Sequence, residues 1–336
     1  MKTNRDGCRN SRLRCFHINR VMTEMTTDEK TEEFDLKHQL ICSIIPELSF
    51  DAHKGTNGRI AVIGGSREYT GAPYFAAYSA LRLGCDLIYV FCTKDAAPVI
   101  KSYSPELMVY PLLDSSNALE EISMILPKMH SVVIGPGLGR NESLLSTVGG
   151  IINKVKDMDL PMILDADSLH FICKCPDIVR GYQKAILTPN AAEFDRLYAT
   201  VYNSDHQQDP LEAVNSLCKT LGGITIIRKG REDIISDGNI SVTCKEEGSA
   251  RRCGGQGDLL SGFLGTFAYW SQKAFARAEK ELNAEKYSAN VIAGLAACML
   301  TRRCNRLAFA KLGRHMTTSD MIKEIKEAFT RLFPVV

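Results

Sequence analysis

Apolar residues fall along this chain in two alternating rhythms. Unbroken apolar runs at Arg59–Gly64 (RIAVIG), Asp86–Cys92, Leu107–Leu113, Ser131–Gly135 (SVVIG), Pro161–Leu164, Lys184–Leu187 (KAIL) and Ile224–Arg228 (ITIIR) predict buried strands. Shorter runs near Ile234–Ser236 and Ile240–Thr243 predict two more. Between them the apolar positions adopt helical spacing. The segments are Thr31–Leu48, with Phe34, Leu36, Leu40, Ile41, Ile44 and Ile45 apolar, then Gly71–Leu83, Glu142–Val155, Asn190–Ala199 and Leu211–Leu221. Beyond Gly257 helices dominate, opening with Leu259, Leu260, Phe263, Leu264 and Phe267. Repeated strand–helix units predict an α/β fold, a mostly parallel sheet with helices on both faces. Such sheets bind ligands beyond the carboxyl ends of their strands. No internal repeat, low-complexity tract or interdomain linker interrupts the pattern, and Asn203–Pro210 reads as a surface loop. One domain is expected over 34–336, behind a leader over 1–33.

Composition narrows the classes. The chain has 336 residues, 45% of them apolar and 24% charged, as in an ordinary globular protein with a sizeable core. A net charge of +2 and the absence of interleaved basic and aromatic residues point away from nucleic acid. Arg82 and Asp86 break the longest apolar stretch, so no membrane span is expected. The twelve cysteines are scattered, without a CxxC pair or histidine at zinc-finger spacing. Cys85, Cys92, Cys218 and Cys298 read as small core residues of a reducing compartment. The leader sets Lys2, Arg5, Arg9, Arg12, Arg14 and Arg20 against one early acid, Asp6. That fits either a mitochondrial targeting segment or a disordered basic tail, and Met22 or Met25 could begin a shorter form. Mitochondrial and cytoplasmic locations are both expected.

The chemistry-bearing motifs follow the strands. Arg251–Gly262 reads RRCGGQGDLLSG. A glycine-rich turn opening a helix aims backbone N–H groups and the positive end of the helix dipole at one spot, which suits phosphate. Asp258 at that mouth is either a base for a hydroxyl attacking phosphorus or an ordinary cap. Gly64–Gly65–Ser66, with Tyr69–Pro73 beyond it, forms one strand-end loop, and Gly135–Gly139 (GPGLG) forms another. The spacing of GPGLG does not match a dinucleotide fingerprint, which disfavours a dehydrogenase. Asp165 and Asp167 could help hold Mg²⁺, with Asp167 as a helix cap the alternative. Asn190 and Glu193 read as a capping box or as groups facing a site. Arg228–Asp233 reads as a charged turn or as a lysine reaching a triphosphate.

GGQGDLLSG, GPGLG, LDADSL, LTPNAAEF and the Lys54–Pro73 segment (KGTNGRIAVIGGSREYTGAP) resemble the ATP-dependent NAD(P)H-hydrate dehydratases of the ribokinase-like superfamily. The resemblance runs from Phe34 to Phe333. It implies removal, with ATP and Mg²⁺, of the water added across the nicotinamide 5,6 double bond of NADH or NADPH, on the S epimer. It also implies an epimerase as functional partner, expected as a separate protein, while self-association is left open. On that resemblance Asp258 takes the hydroxyl proton. ATP is placed on Lys229, Gly230, Arg231, Glu232 and Asp233. It is also placed on Gly248, Ser249, Ala250, Arg251, Arg252, Cys253, Gly254, Gly255, Gln256 and Gly257. The hydrate is placed on Gly137, Asn190, Ala191, Ala192, Glu193, Phe194, Asp195, Arg196 and Asp258. Asp165, Asp167 and Glu193 are the candidate metal ligands. A small-molecule kinase on the same fold, phosphorylating an alcohol, is the alternative.

Overall fold

The computed structural model describes residues 37–205, 209–277 and 287–334. The basic leader, with its targeting reading, and the first residues of the Thr31–Leu48 helix lie outside them. Strand β4 (Ser131–Ile134) shows how the fold is built. Val132 and Ile134 join a core with Val148, Ile151, Ile152 and Val155 of helix α5 (Glu142–Asp157). On the opposite face Val133 lies under Gly265 of helix α9 (Gln256–Arg277), and Ser131 Oγ donates to the Gly265 carbonyl at 2.8 Å. Apolar residues on both faces require cover on both faces, as the continuous apolar runs predict.

Around β4 stand β1 (Arg59–Ile63), β2 (Leu87–Phe91), β3 (Met108–Tyr110), β5 (Met162–Leu164), β6 (Ala185–Leu187) and β7 (Thr225–Arg228). With β8 (Asp233–Ser236) and β9 (Ser241–Cys244) they form one nine-stranded sheet in the order β3-β2-β1-β4-β5-β6-β7-β8-β9. The first seven are parallel, and β8 and β9 close the far edge antiparallel. The chain steps outward from β1 to β3, then returns to lay β4 beside β1. The β1/β4 boundary is therefore a topological switch point in the strand order.

One face carries α5, α6 (Asp167–Lys174), α7 (Ala191–Tyr202) and α8 (Pro210–Thr220). The other carries α2 (Gly71–Leu83), α9 and α10 (Ala289–Leu312). A short helix over 37–44 is α1, and α11 (Thr318–Lys323) and α12 (Ile325–Leu332) pack on α10. Helices α3 (Ala97–Tyr103), α4 (Ala118–Ile125) and α6 are absent from the sequence expectation, and each has eight residues or fewer. Helix α9 crosses α2 closely because Gly262 has no side chain: a Cβ there would sit 2.0 Å from the Ala76 carbonyl oxygen. That contact fixes where the first turn of α9 points.

Cys85, Cys92, Cys218 and Cys298 are buried, and burial pushes their thiols well above the ordinary range. They are inert core residues rather than nucleophiles. No described helix is long and apolar enough to cross a membrane.

Candidate active site

Five neighbouring strands, β1, β4, β5, β6 and β7, end on one edge of the sheet, each followed by one of the motifs. Their loops touch backbone to backbone. A Cβ on Gly135, after β4, would fall 1.7 Å from the carbonyl oxygen of Asp165, after β5. Gly135 also has φ +129°, a conformation that L side chains rarely adopt. Gly135→Ala is therefore expected to lose more than 2 kcal/mol of stability, roughly the cost of overpacking plus backbone strain. It should also displace Asp165. Chemical denaturation checks the first effect, and loss of activity in the surviving folded protein checks the second.

Asp165 is the hub of the edge. It is 2% exposed, and its Oδ1 accepts hydrogen bonds from Thr188 Oγ1 (2.7 Å) and Lys229 Nζ (3.0 Å). Lys229 is held in turn by its own amide, which donates to the Pro189 carbonyl at 2.8 Å, and by a parallel bridge to Asn190. Burial alone would lower the pKa of this ammonium. The carboxylates of Asp165, Glu193 and Asp258 outweigh it, so the pKa is raised and Lys229 is a cation.

Asp258 lies in the first turn of α9, half-buried, across from this pair. Burial pushes its pKa up, and the charge on Asp165 pushes further. Lys229 opposes them, Asp167 adds a smaller upward push, and the result is about 7. A carboxylate that titrates near neutrality is suited to accept a proton. Helix α9 begins at Gln256, so Asp258 is inside the helix and not at its N-cap. No other described residue donates a hydrogen bond to its side chain, which disposes of the ordinary-cap reading.

The first α9 amide with a carbonyl acceptor is that of Leu259, which bonds to Gly255 at 2.9 Å. Among the described residues no carbonyl takes the amides of Gly254 to Gly257, so they remain open to an anion. The turn is braced from outside. Gln256 Nε2 donates to the Arg251 carbonyl (3.2 Å) and to Cys253 Sγ (3.2 Å), and Thr318 Oγ1 donates to the Gly254 carbonyl (2.7 Å). The Gln256 side-chain amide thus braces the loop.

A cavity of about 930 Å³ opens beside the turn. Lys229, Gly230, Arg231, Glu232, Asp233, Gly248, Ser249, Ala250, Arg252, Gln256 and Gly257 line it, together with Asn190. Arg251, Cys253, Gly254 and Gly255 do not line it, and Asp233 is tied to protein. Its carboxylate takes Arg302 Nε at 2.6 Å and the Gly230 amide at 3.0 Å. Arg302 also reaches the carbonyls of Arg231 (2.8 Å) and Gly230 (3.0 Å). Asn305, one turn on, takes the Ser249 amide at 2.5 Å. These two α10 residues are absent from the sequence expectation. Arg302 and Asn305 lie in the polar TRRCNR stretch of α10, where Asn305 is buried and Arg302 half-buried.

The substrate candidates divide. Gly137 is buried, with the Tyr69 carbonyl oxygen 2.6 Å from where its Cβ would be. Asn190 and Glu193 do form a capping box, at 2.8 and 2.9 Å, while Asn190 also faces the cavity. Ala191, Ala192, Asp195 and Arg196 are exposed along the same helix start. The Phe194 side chain is wholly buried in the core beneath the Arg228 guanidinium, so within this segment it is a packing residue whose backbone alone faces outward. The fourth residue of an amphipathic helix turns back toward the sheet.

Of the candidate metal ligands, each carboxylate has one oxygen engaged. Asp165 Oδ1 holds Lys229 and Thr188, Asp167 Oδ2 takes the Gly139 amide at 2.9 Å, and Glu193 Oε2 takes the Asn190 amide. Asp167 therefore pins the Gly139 loop rather than capping α6. No group of three metal-ligating side chains exists among the described residues. This set fits Mg²⁺ held chiefly through phosphate and water, the usual mode for that ion, rather than a protein cage.

A family model for NAD(P)H-hydrate dehydratase matches residues 60–327. The chain is 50% identical over 313 residues to the ATP-dependent (S)-NAD(P)H-hydrate dehydratase of Rattus norvegicus, covering 91% of this chain and 88% of the relative. It is 53% identical over 299 residues to that of Danio rerio, covering 88% of each. The chain belongs to the NAD(P)H-hydrate dehydratase family. Its fold is shared with the Bacillus subtilis ADP/ATP-dependent NAD(P)H-hydrate dehydratase co-crystallised with ATP/Mg²⁺ (TM-score 0.68, 22% identity, 88% of this chain and 97% of that one). It is shared more distantly with a hydroxyethylthiazole kinase from Pyrococcus horikoshii (TM-score 0.58, 12% identity, 89% and 94%). The strand pattern predicts the mostly parallel sheet that these structures share, and the motif resemblance its ribokinase-like form.

Proposed function

We propose that this chain dehydrates the S epimer of NADH or NADPH hydrate with ATP, restoring the reduced nicotinamide and releasing ADP and phosphate. One observation carries the proposed roles: Asp258, titrating near pH 7, stands at an amide-lined helix start beside a nucleotide-sized cavity. ATP lies in the cavity, with its terminal phosphate at the Gly254–Gly257 turn. The hydrate presents its C6 hydroxyl to Asp258.

The chemistry follows from what leaves. Hydroxide is a poor leaving group, since water has a pKa near 15.7. Phosphate monoester has a second pKa of about 6 and departs far more readily. Asp258 accepts the C6 hydroxyl proton as that oxygen attacks the terminal phosphorus and ADP leaves. The helix-start amides hold the transferring group. The ring nitrogen lone pair then expels phosphate from C6, and loss of a C5 proton restores the 5,6 double bond. Mg²⁺, when bound with the nucleotide, neutralises phosphate charge, with Asp165, Asp167 and Glu193 able to hold its waters. Lys229 supplies fixed positive charge beside Asp165 and keeps the pKa of Asp258 from rising further.

The reading is tested by mixing protein, ATP, Mg²⁺ and hydrate and assaying phosphate and reduced nicotinamide together. Equal release supports it. A stable phosphorylated alcohol from another acceptor, with no nicotinamide recovered, would establish the kinase instead. Lys229→Ala is expected to raise KM for ATP about tenfold or more, the weight of one charge-assisted contact. It should also move the acid limb of the rate profile to higher pH, because the charge that lowers the Asp258 pKa is gone. An unchanged KM and pH profile would remove Lys229 from the site.

A further inference from the structure

The amino edge of the sheet, opposite the catalytic edge, holds donors without acceptors. Arg59 opens β1, and His130 stands one residue before β4. Both are only half-buried, so solvent reaches them. His130 Nδ1 accepts the backbone N–H of Arg59 at 3.3 Å, which puts the single proton of a neutral imidazole on Nε2. That Nε2 lies 3.3 Å from a terminal nitrogen of the Arg59 guanidinium, a group with only protons to offer. Two N–H groups therefore face each other with no acceptor between them. Moving the proton to Nδ1 only transfers the conflict to the Arg59 amide. Burial, then the cations of Arg59 and Lys273, hold the His130 pKa below its ordinary value, so the ring is neutral near pH 7.

More positive charge surrounds the pair. His130 stacks on Tyr269 of α9, with ring centroids 4.4 Å apart, and the Lys273 ammonium lies 5.5 Å from the centre of the same ring. Lys273 Nζ gives one of its three donors to the Thr56 carbonyl, at 3.0 Å. Arg277, exposed at the end of α9, bears electrostatically on both Tyr269 and Lys273. Asp86 opposes these cations, but its Oδ2 already accepts the amides of Gly55 (2.8 Å) and Asn57 (3.0 Å). A last-turn arginine answers the α9 dipole. The dipole supplies no acceptor to Arg59 and His130, which belong to the sheet edge.

We propose that this edge binds a small oxyanion of the inorganic phosphate type. One oxygen accepts from His130 Nε2–H and from the Arg59 guanidinium, filling the gap between the two donors, while Lys273 and Arg277 balance its charge. His130 and Lys273 already cover the Tyr269 ring, so an aromatic base finds no stacking surface there. That favours the free anion over a nucleotide. At 1.5 Å of rise per residue Lys273 lies about 24 Å along α9 from Gly257, so this is a second site and no extension of the ATP cavity. One helix then has an anion site at each end. The assignment stands independently of the dehydratase reading.

The test titrates inorganic phosphate into the full chain, with the nucleotide cavity filled by a non-hydrolysable ATP analogue and ionic strength held constant with chloride. NMR follows the His130 imidazole, assigned by the signal lost in His130→Gln. A saturable shift is expected. Lys273→Met should weaken phosphate about tenfold or more, the weight of one charge-assisted contact. Lys273 is a half-exposed helix residue, and the remaining histidine signals report that the variant is folded. A shift that chloride alone reproduces overturns the proposal, as does a phosphate affinity that Lys273→Met leaves unchanged. Adenosine monophosphate should bind at His130 no tighter than phosphate. Tighter binding would make the ligand a nucleotide and overturn the small-anion assignment.

Discussion

Asp258→Asn is expected to lower kcat by about 10²- to 10⁴-fold, the usual weight of a positioned base, while leaving ATP binding nearly intact. The substitution keeps size and removes only the ability to take a proton. In the unmodified protein kcat/KM should rise with pH through about 7 as Asp258 ionises, and that limb should vanish in the variant. Stability should move the other way from activity. Because the folded-state pKa of Asp258 is raised by burial and by Asp165, the folded protein holds more protons than the unfolded chain between the ordinary carboxylate range and pH 7. Its contribution therefore falls as pH rises across that window. Above pH 7 the asparagine variant, with no buried charge to form, should melt higher than the parent. Calorimetry across the window reads this directly, and a variant that is both active and less stable would refute the assignment.

Arg302→Ala carries the second large effect. The Arg302 side chain is 15% exposed and that of Asp233 9%, and the same guanidinium satisfies the carbonyls of Gly230 and Arg231. Removing it leaves a buried carboxylate without its cation, a change that costs about 3–5 kcal/mol when one partner of a buried pair is deleted. It also frees the Gly230–Asp233 turn that lines the nucleotide cavity. Lower stability in denaturant and a higher KM for ATP are expected together. Asp233→Asn combined with Arg302→Ala should cost clearly less than the two separate effects added, because the orphaned charge is then gone. Strict additivity would show that the pair does not act as a unit.

The sheet was legible because its strands are nearly all apolar, and a strand buried on both faces leaves no other reading once Gly or Asp follows it. The convergence of the motifs was legible for the same reason: parallel strands share one carboxyl edge. Helices α3, α4 and α6 escaped because so few turns show no clear period. Contacts across loops escaped as well. Nothing local distinguishes Asp167 as a cap from Asp167 as the acceptor of the Gly139 amide 28 residues away. Phe194 belongs to the NAAEF segment, and helical geometry sends its side chain to the core. Arg302 and Asn305 gave no local sign, since they stand in a polar stretch of α10 and their meaning depends on loops far away in sequence.

The central claim is that the C6 oxygen of the hydrate becomes a phosphate oxygen before it leaves. The measurement is to prepare the hydrate in heavy-oxygen water, turn it over with ATP in ordinary water, and weigh the released phosphate by mass spectrometry. One heavy oxygen in each phosphate is the predicted result. Unlabelled phosphate, with the label lost to water, would mean that ATP is cleaved without capture of the substrate hydroxyl, and would contradict the role given to Asp258.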